Sequence, residues 1–346
     1  MNRRNFSASL LAISAGLALG PRLPKAMAVG RHLRPARLRA GDQVGLLSPA
    51  SYIEDEALEK AVGNLESLGL KPVLSTHIRS LYGSLAGSDA ERLSDLHRMF
   101  ADPAIKGIWC ARGGYGCARL LPDIDYRLIR QNPKVLVGYS DITALHNAIY
   151  RHSGLVTFHG PVGSSTLTDY TRAHLVATLF EGQAEQRIGV APAQAEKGLE
   201  DAAFATQVIR PGVAEGRLVG GNLSLLASLA GTRYQPDIAG TILYIEDIGE
   251  KPYRLDRMLT TLRQAWPLEK VAGIALGVFN DCQPEADSRS LTLLETLQDR
   301  LADLPVPISY GLSFGHIDDM CTLPYGVRAR LDTQEASLTL LEAGVS

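Results

Sequence analysis

Three side chains of the kinds that carry out nucleophilic hydrolysis follow predicted strands of this sequence. Ser140, Glu246 and His316 each come just after a short apolar segment that predicts a β-strand. In open α/β sheets, reactive groups collect beyond the carboxyl ends of the strands. A serine hydroxyl needs a positioned base, and an imidazole base needs an anion that fixes its tautomer. The three residues therefore predict a Ser–acid–His site, in a chain order that some hydrolases use.

Each of these residues also has competitors or a purely structural interpretation. A serine that follows Gly-Tyr at a strand end is often only the N-cap of the next helix. Asp247 and Glu250 compete with Glu246 for the role of the acid. His159 competes with His316 for the role of the base, because it too follows apolar residues. The residues taken alone leave the triad open.

A glycine-rich segment follows another predicted strand and precedes a helical pattern. It covers residues 112–116 and reads Arg-Gly-Gly-Tyr-Gly. Part of it matches the dinucleotide fingerprint, but Arg119 stands where that fingerprint has its third glycine, and no acidic residue follows at the expected distance. We therefore interpret the segment as a source of backbone N–H groups for an oxyanion, and we predict no bound cofactor.

Other hydrolase and metal motifs are missing from the sequence. Ile142 replaces the second glycine of a Gly-x-Ser-x-Gly elbow, and Thr143 stands where a Ser-x-x-Lys motif has its lysine. The sequence contains neither His-Glu-x-x-His nor a Cys-x-x-Cys pair, so we predict no metal site. Cys110 and Cys117 lie close enough along the chain to form a disulfide, and the sequence leaves that pairing open.

The composition limits the class of protein. A chain of 346 residues, 45% hydrophobic and 21% charged, is typical of a folded protein of about two domains. The 35 basic and 37 acidic residues give a net charge of -2, which argues against a nucleic-acid partner. No apolar segment reaches the ~20 residues of a membrane-spanning helix, so we expect no stable membrane insertion.

Alternating strand and helix patterns predict an α/β fold whose parallel sheet is covered by helices on both faces. We place an N-terminal α/β domain, which carries the serine, at residues 38–181. Residues 182–207 are rich in Ala, Gln, Glu and Gly and are interpreted as a linker. A C-terminal domain at residues 208–346 carries the acid and the histidine.

Several segments, taken together and in order, carry a family pattern. They are residues 86–93 running to 101–103, residues 108–116, residues 138–145, residues 243–250 with 253–257, and Gly315-His316 ahead of residues 323–326. In these segments the chain resembles the L,D-carboxypeptidase family of serine peptidases, which also includes the microcin immunity peptidases. The resemblance covers about residues 38–335 and leaves out only the N-terminal segment.

The resemblance implies a triad of Ser140 as nucleophile, His316 as base and Glu246 as the acid that orients it. It also implies a flavodoxin-like N-terminal domain, a smaller β-rich C-terminal domain and a homodimer. The active site would lie between the two domains, with the serine on one and the acid and histidine on the other.

The resemblance further implies an oxyanion hole of backbone N–H groups, contributed by Gly113 or Gly114 together with Asp141. A carboxypeptidase must also recognise a free carboxylate. We assign that role to Arg112, at the mouth of the glycine-rich segment, with Arg119 as the alternative.

We therefore expect a serine L,D-carboxypeptidase that releases the terminal D-alanine from murein tetrapeptides. Two alternatives stay open. An immunity peptidase that cleaves peptidyl-nucleotide antibiotics would need an aromatic surface on which to stack the base. A periplasmic two-domain binding protein would explain an exported chain with two domains, but not the serine, acid and histidine together.

Residues 1–28 predict a twin-arginine export signal. Arg3 and Arg4 precede Phe6, an almost entirely apolar segment covers residues 8–19, and residues 26–28 form an Ala-x-Ala cleavage site. We therefore expect the mature protein to work in the bacterial periplasm.

Replacing Arg3 and Arg4 together by lysine should hold the full-length precursor in the cytoplasm, because twin-arginine export recognises the arginine pair. Immunoblots of periplasmic and cytoplasmic fractions measure this. Arg22→Lys, a conservative change elsewhere in the same segment, is the matched control and should be exported normally. A mature N-terminus of the double variant in the periplasmic fraction would show that the predicted route is wrong.

Overall fold

The computed structural model describes residues 32–346 and consists of two sheets with their helices. The predicted export signal, residues 1–28, lies outside the described residues. Within residues 32–346, no helix is long and apolar enough to cross a membrane.

The first sheet has the strand order of a flavodoxin-like fold. Its parallel strands are β1 (Gln43–Leu47), β2 (Lys71–Leu74), β3 (Ile105–Cys110), β4 (Val135–Gly138) and β5 (Phe158–His159). They lie in the order β2-β1-β3-β4-β5, and β12 (Leu323–Pro324) pairs antiparallel with β5 at the edge. The order reverses between β1 and β3, and ligands of open α/β sheets bind at such a reversal.

The helices of this half alternate with its strands along the chain. They are α1 (Asp55–Ser67), α2 (Asp89–Ala101), α3 (Cys117–Leu120), α4 (Tyr126–Gln131), α5 (Thr143–Ser153) and α6 (Asp169–Leu175), which a π-helical turn at Val176–Glu181 extends. Helix α2 begins with a capping box, in which Ser88 Oγ accepts a hydrogen bond from Glu91 N and the Glu91 carboxylate accepts one from Ser88 N at 2.7 Å.

The second sheet has eight strands around a parallel centre. The strands are β6 (Gln186–Ile188), β7 (Gln207–Arg210), β8 (Val213–Asn222), β9 (Thr241–Ile248), β10 (Gly273–Asn280), β11 (Ile308–Gly315), β13 (Arg328–Asp332) and β14 (Ser337–Leu340). Strands β8, β9, β10 and β11 are parallel neighbours, and the outer strands pair antiparallel. The helices are α7 (Pro192–Lys197), α8 (Leu223–Leu229), α9 (Pro252–Ala265) and α10 (Leu293–Leu301).

Residues 182–207, interpreted from the sequence as a linker, contain β6 and α7 and pack on the second sheet. Strand β6 pairs with β14. Ala191 N donates to Ser313 Oγ at 2.8 Å, and Gln194 Nε2 donates to the Gly311 carbonyl at 2.7 Å. Ile188, Ala203 and Phe204 are also buried in the hydrophobic core of this half. These apolar residues are few and irregularly spaced, so the sequence shows no apolar periodicity here.

The two halves meet where α5 packs against β8. Thr143 Oγ1 accepts from Asn222 N at 3.0 Å, and Asn147 Nδ2 donates to the Gly220 carbonyl at 3.2 Å. Tyr325 OH donates to the Asn147 side chain at 2.8 Å. Because α5 follows Ser140's turn and β8 adjoins β9, this contact fixes the first sheet relative to the strands that carry the acid and the histidine.

Gly220→Ala should destabilise the protein strongly. Gly220 has a φ of +145°, and a Cβ there would lie 1.8 Å from the Tyr244 carbonyl oxygen of the neighbouring strand. We expect a loss of about 3 kcal/mol or more in the free energy of unfolding. Denaturant unfolding followed by circular dichroism measures it.

Gly240→Ala is the matched control for this variant. Gly240 also has a positive φ, +67°, but no atom lies within 4 Å of the Cβ position. It should therefore show only the conformational penalty of about 1–2 kcal/mol. Equal losses in the two variants would show that contact with β9 does not determine the choice of glycine at position 220.

Candidate active site

Ser140 stands at the sharp turn between β4 and the helix that follows. Its φ is +62°, a region that residues with a side chain rarely adopt. The cap residue of this turn is Tyr139, so Ser140 is not the N-cap that its position also suggested. Gly113 lies directly against it, since a Cβ on Gly113 would lie 3.3 Å from Ser140 Oγ. A strained turn that presents a serine in this way is typical of hydrolase nucleophiles.

Glu246 and His316 form a buried pair at the ends of β9 and β11. His316 Nδ1 lies 2.7 Å from Glu246 Oε2. The Glu246 side chain is fully buried, whereas 14% of the His316 side chain is exposed. A carboxylate on Nδ1 fixes the imidazole tautomer and orientation and leaves Nε2 to act on a substrate.

The surroundings of His316 strengthen it as a base. Burial by itself lowers the pKa of the imidazole, but the charge of Glu246 and its hydrogen bond raise it, and Asp247 adds to that effect. The net result is a pKa above the ordinary 6.5. A general base is most effective when its pKa lies near the working pH.

Asp247, the competing acid, has a structural role. Its Oδ1 accepts from Asn222 Nδ2 at 2.8 Å, and its Oδ2 accepts from Ser224 N at 3.0 Å and from Ser224 Oγ at 2.8 Å, at the start of α8. Burial, followed by the nearby Glu246 charge, raises its pKa to about 6. Glu250 pairs instead with Arg254 at 3.5 Å. Among the three acids, the structure brings only Glu246 to His316.

His159, the competing base, lies behind the site rather than in it. It is fully buried in β5, with its ring centroid 5.4 Å from that of Tyr244 and 6.3 Å from that of Phe314. Burial, with smaller contributions from His146 and His316, lowers its pKa well below 6.5. It does not line the cleft that Ser140 and His316 share.

That cleft has a volume of about 820 Å³ and runs between the two sheets. One part of its lining comes from α1 and the residue before that helix, namely Glu54, Glu56 and Lys60. The rest includes the reactive residues and the glycine-rich segment: Arg112, Gly113, Gly114, Tyr139, Ser140, Ile248 and His316. Among the described residues, no hydrogen bond joins Ser140 to His316. Such contacts are often long in an enzyme without substrate and tighten in the complex.

The two candidate arginines have different surroundings. The Arg112 guanidinium is half-buried, lines the cleft, and donates to the Tyr52 carbonyl at 3.0 Å. Arg119 is exposed and pairs with Asp89 at 2.9 Å. The geometry therefore favours Arg112 over Arg119 as the group that would meet a substrate carboxylate.

A second cavity, of about 420 Å³, continues the cleft on the other side of His316. Sequence reasoning missed the charged residues that line it, Lys197, Asp318 and Asp319. Lys197 Nζ lies 3.5 Å from the centroid of the Phe204 ring. The two aspartates directly follow His316 and Ile317, a proximity that could have drawn attention to them, whereas Lys197 lies in the segment interpreted as a linker.

Metal-binding clusters and cysteine thiols are two other kinds of reactive group that a hydrolase site could use. Within residues 32–346, no group of three or more His, Cys, Asp or Glu side chains is arranged to hold a metal ion. Cys110 and Cys117 are both buried and free in this structure, and burial raises the pKa of each thiol. Buried thiols of this kind are poor nucleophiles.

Comparisons with known proteins define the chain as a peptidase. The LD-carboxypeptidase N-terminal domain matches residues 44–160, and the LD-carboxypeptidase C-terminal domain matches residues 215–331. The probable murein peptide carboxypeptidase of Bacillus subtilis is 40% identical over 318 residues, 90% of this chain and 95% of the relative. The murein tetrapeptide carboxypeptidase of Pseudomonas aeruginosa is 36% identical over 295 residues, 84% of this chain and 93% of the relative. The chain belongs to the LD-carboxypeptidase family.

Solved structures share the same two-domain fold. The muramoyltetrapeptide carboxypeptidase from Oxalobacter formigenes aligns with a TM-score of 0.73 at 31% identity, over 86% of this chain and 97% of that chain. The microcin self-immunity protein MccF, in its wild-type apo state, aligns with a TM-score of 0.81 at 27% identity, over 91% of this chain and 100% of that chain. The predicted family and fold class are confirmed.

The Glu246–His316 pair predicts the pH dependence of activity. His316 must be neutral to accept a proton, so kcat/KM should fall as the pH drops through its raised pKa. Glu246→Gln removes the charge that raises the pKa of His316. The burial of the imidazole, which lowers that pKa, is unchanged. The acid limb of the kcat/KM profile should therefore move to lower pH, while plateau kcat falls on the order of 10⁴-fold.

A pH series of kcat/KM, together with an NMR titration of the His316 imidazole, measures the shift. Glu250→Gln is the matched control, because it removes a nearby carboxylate that pairs with Arg254 instead. Its profile should follow that of the wild type. An acid limb that stays in place or moves to higher pH in Glu246→Gln would contradict the assigned cause.

Proposed function

We propose that this protein is a serine-type L,D-carboxypeptidase that removes the terminal D-alanine from murein tetrapeptides. One observation carries the proposal. Ser140, on a strained turn with a φ of +62°, shares one cleft with a histidine whose Nδ1 is held by a fully buried carboxylate. This arrangement supports nucleophilic catalysis and would have little purpose in a protein that only binds a ligand. We therefore set aside the periplasmic binding protein.

In the proposed first step, Ser140 Oγ attacks the carbonyl that precedes D-alanine, and its proton passes to His316 Nε2. The developing oxyanion accepts hydrogen bonds from backbone N–H groups of Gly113 or Gly114 and of Asp141. The C–N bond then breaks, and His316 returns the proton to the amine of the departing D-alanine. Glu246 keeps the imidazole oriented and stabilises its charged form.

In the second step, water hydrolyses the acyl-enzyme. His316, neutral again, takes a proton from the water as its oxygen attacks the ester carbonyl. The same N–H groups hold the second oxyanion, and the Ser140–acyl bond breaks as His316 gives the proton back to Ser140 Oγ. The products are free D-alanine and a tripeptide.

The charges along the cleft support a peptide with a free carboxylate at one end. Arg112 lies on the Ser140 side of the cleft, where it would pair with the D-alanine carboxylate. On the other side of His316, Lys197, Asp318 and Asp319 offer both signs of charge to the rest of the peptide. Murein stems carry carboxylates and, at the diamino acid, an amine. Two relatives named for murein peptides, at 40% and 36% identity, support the same substrate class.

A second candidate is an immunity peptidase that cleaves peptidyl-nucleotide antibiotics. The TM-score of 0.81 with MccF favours it. Tyr139 and Phe204 line the second cavity and would be the surface available for stacking a base. We rank this candidate second, because the murein relatives are more similar in sequence and because the cavity is lined by charged residues as well as by these two aromatic rings.

We further propose that the enzyme works in the bacterial periplasm. The signal predicted at residues 1–28 supports a periplasmic protein. In that compartment the substrates would be released muropeptides or stems still attached to the wall. We also propose that the enzyme is a homodimer, as the family resemblance implies.

Ser140→Ala and His316→Ala should each lower kcat for D-alanine release by about 10⁶-fold. The double variant should be no worse than either single variant, because the two residues act as one unit. Glu246→Ala should be milder, since the orienting acid usually contributes less than the nucleophile or the base. An assay of D-alanine freed from a murein tetrapeptide measures this, with circular dichroism as the test of folding.

Ser228→Ala is the matched serine control, because the Ser228 hydroxyl only donates to the Leu225 carbonyl within α8. It should keep wild-type turnover.

A parallel assay with a peptidyl adenylate decides between the two candidate functions. Cleavage of the adenylate without release of D-alanine from the tetrapeptide would favour the immunity peptidase and overturn the murein proposal.

A further inference from the structure

The glycine loop, residues 112–116, is anchored by two side chains from neighbouring strand ends. Asp141 Oδ2 accepts a hydrogen bond from Cys117 N, just beyond the loop, at 2.8 Å. Ser51, after β1, accepts from Tyr115 N through its Oγ at 3.1 Å, and Ser51 N donates to the Gly113 carbonyl at 3.4 Å. Neither side chain lines the cleft that holds Ser140 and His316.

This loop needs external anchors because its own sequence does not fix its shape. Gly114 and Gly116 have φ values of +114° and +124°, and glycine loses more backbone freedom on ordering than any other residue. Backbone N–H groups stabilise an oxyanion only when they already point at it before the reaction. A loop of this composition without anchors would lose that orientation.

The anchors are in close contact with the loop and are themselves held. A Cβ on Gly114 would lie 2.3 Å from Ser51 Oγ, so the hydroxyl touches the loop backbone. Asp141 is 2% exposed. Burial raises the pKa of its carboxyl group, whereas hydrogen bonds from Cys117 and Gly116 and, to a smaller extent, the positive charge of Arg92 lower it. A Cβ on Gly116 would lie 2.8 Å from a guanidinium nitrogen of Arg92, so this buried side chain also contacts the loop. Arg92 in turn donates to the Pro49 carbonyl of the β1 turn. One buried set of contacts therefore ties the β1 turn, the glycine loop and the β4 turn together.

Asp141 differs from the other anchor because it directly follows Ser140 in the chain. Its side chain holds the glycine loop, while its backbone belongs to the turn that presents the nucleophile. A displacement of that turn would therefore move the loop with it. Asp141 therefore fixes the position of the loop's N–H groups relative to the nucleophile.

We propose that Asp141 and Ser51 are positioning residues that preorganise the oxyanion hole by fixing the glycine loop against the Ser140 turn. Their effect falls on the transition state, where the oxyanion forms, and not on ground-state binding of the peptide. This inference rests on the proposed serine mechanism and adds two side chains to it.

Asp141→Ala removes the anchor, and Asp141→Asn keeps an oxygen that can accept from Cys117 N. We expect kcat of Asp141→Ala to fall about 100-fold, as for the loss of one oxyanion donor, with KM within about threefold of wild type. Asp141→Asn should recover at least about tenfold of that loss. A fall in kcat/KM that comes mainly from KM, or an Asn variant no better than Ala, would overturn the proposal.

Labelling of Ser140 by a fluorophosphonate provides a readout that needs no peptide substrate. Its transition state also places an oxyanion near the glycine loop, so the labelling rate of Asp141→Ala should fall in proportion to kcat. If wild type is labelled but releases no D-alanine, the murein substrate is wrong and the labelling rates still test the anchors. If Asp141→Ala is labelled as fast as wild type, the anchoring role is wrong.

Asp125→Ala is the matched control for a lost aspartate–backbone hydrogen bond. Asp125 Oδ1 accepts from Leu128 N at 2.9 Å at the start of α4, outside the cleft. It should lower stability without changing kcat or the labelling rate. Equal effects of Asp125→Ala and Asp141→Ala on labelling would mean that general destabilisation, not positioning, explains both.

Ser51→Ala decides the matter if Asp141→Ala does not fold. It removes one hydroxyl at the other anchor, and its smaller size makes unfolding a lesser risk. We expect about a tenfold fall in kcat and in the labelling rate, with KM unchanged. Wild-type values of both in a folded Ser51→Ala would overturn the proposal.

Discussion

The packing of α5 against β8 is the constraint on which the site depends, because the reacting groups come from two different sheets. Ser140 and the glycine loop belong to the first sheet, and Glu246 and His316 to the second. The hydrogen bonds of Thr143 and Asn147 to β8 hold the sheets together. Glycine is required on β8 at this contact, since a Cβ on Gly221 would lie 2.4 Å from Thr143 Oγ1. Close approach of backbone and helix thus sets the relation between nucleophile and base.

The buried carboxylate of Glu246 is a feature that selection for stability alone would not favour. Removing a charge from water is unfavourable by several kcal/mol, and a single partner rarely compensates fully. His316 supplies that partner at 2.7 Å, and the pair raises the pKa of the imidazole. The arrangement makes sense as preparation for a proton transfer, in which the imidazole becomes charged next to an anion already in place.

Much of this organisation was predictable from the sequence, and the rest was hidden for identifiable reasons. Apolar segments predicted the alternation of strands and helices, and the predicted strand ends singled out Ser140, Glu246 and His316. Strand β8 was not predicted because three glycines interrupt its pattern. The role of the Asp141 side chain and the burial of His159 depend on contacts across the sheet, which sequence spacing does not report.

The division of groups between the sheets also explains how the site can be rigid and adjustable at once. The turns after β1 and β3 meet at the reversal in strand order of the first sheet, and the turn after β4 lies next to them. The nucleophile and the glycine loop therefore share one rigid frame. The base reaches them from β11 of the other sheet, and no hydrogen bond joins it to Ser140 among the described residues. A small shift of the His316 side chain toward Ser140 in the substrate complex would complete that bond without disturbing the oxyanion hole. Binding of the substrate, rather than folding, would then assemble the last contact of the triad.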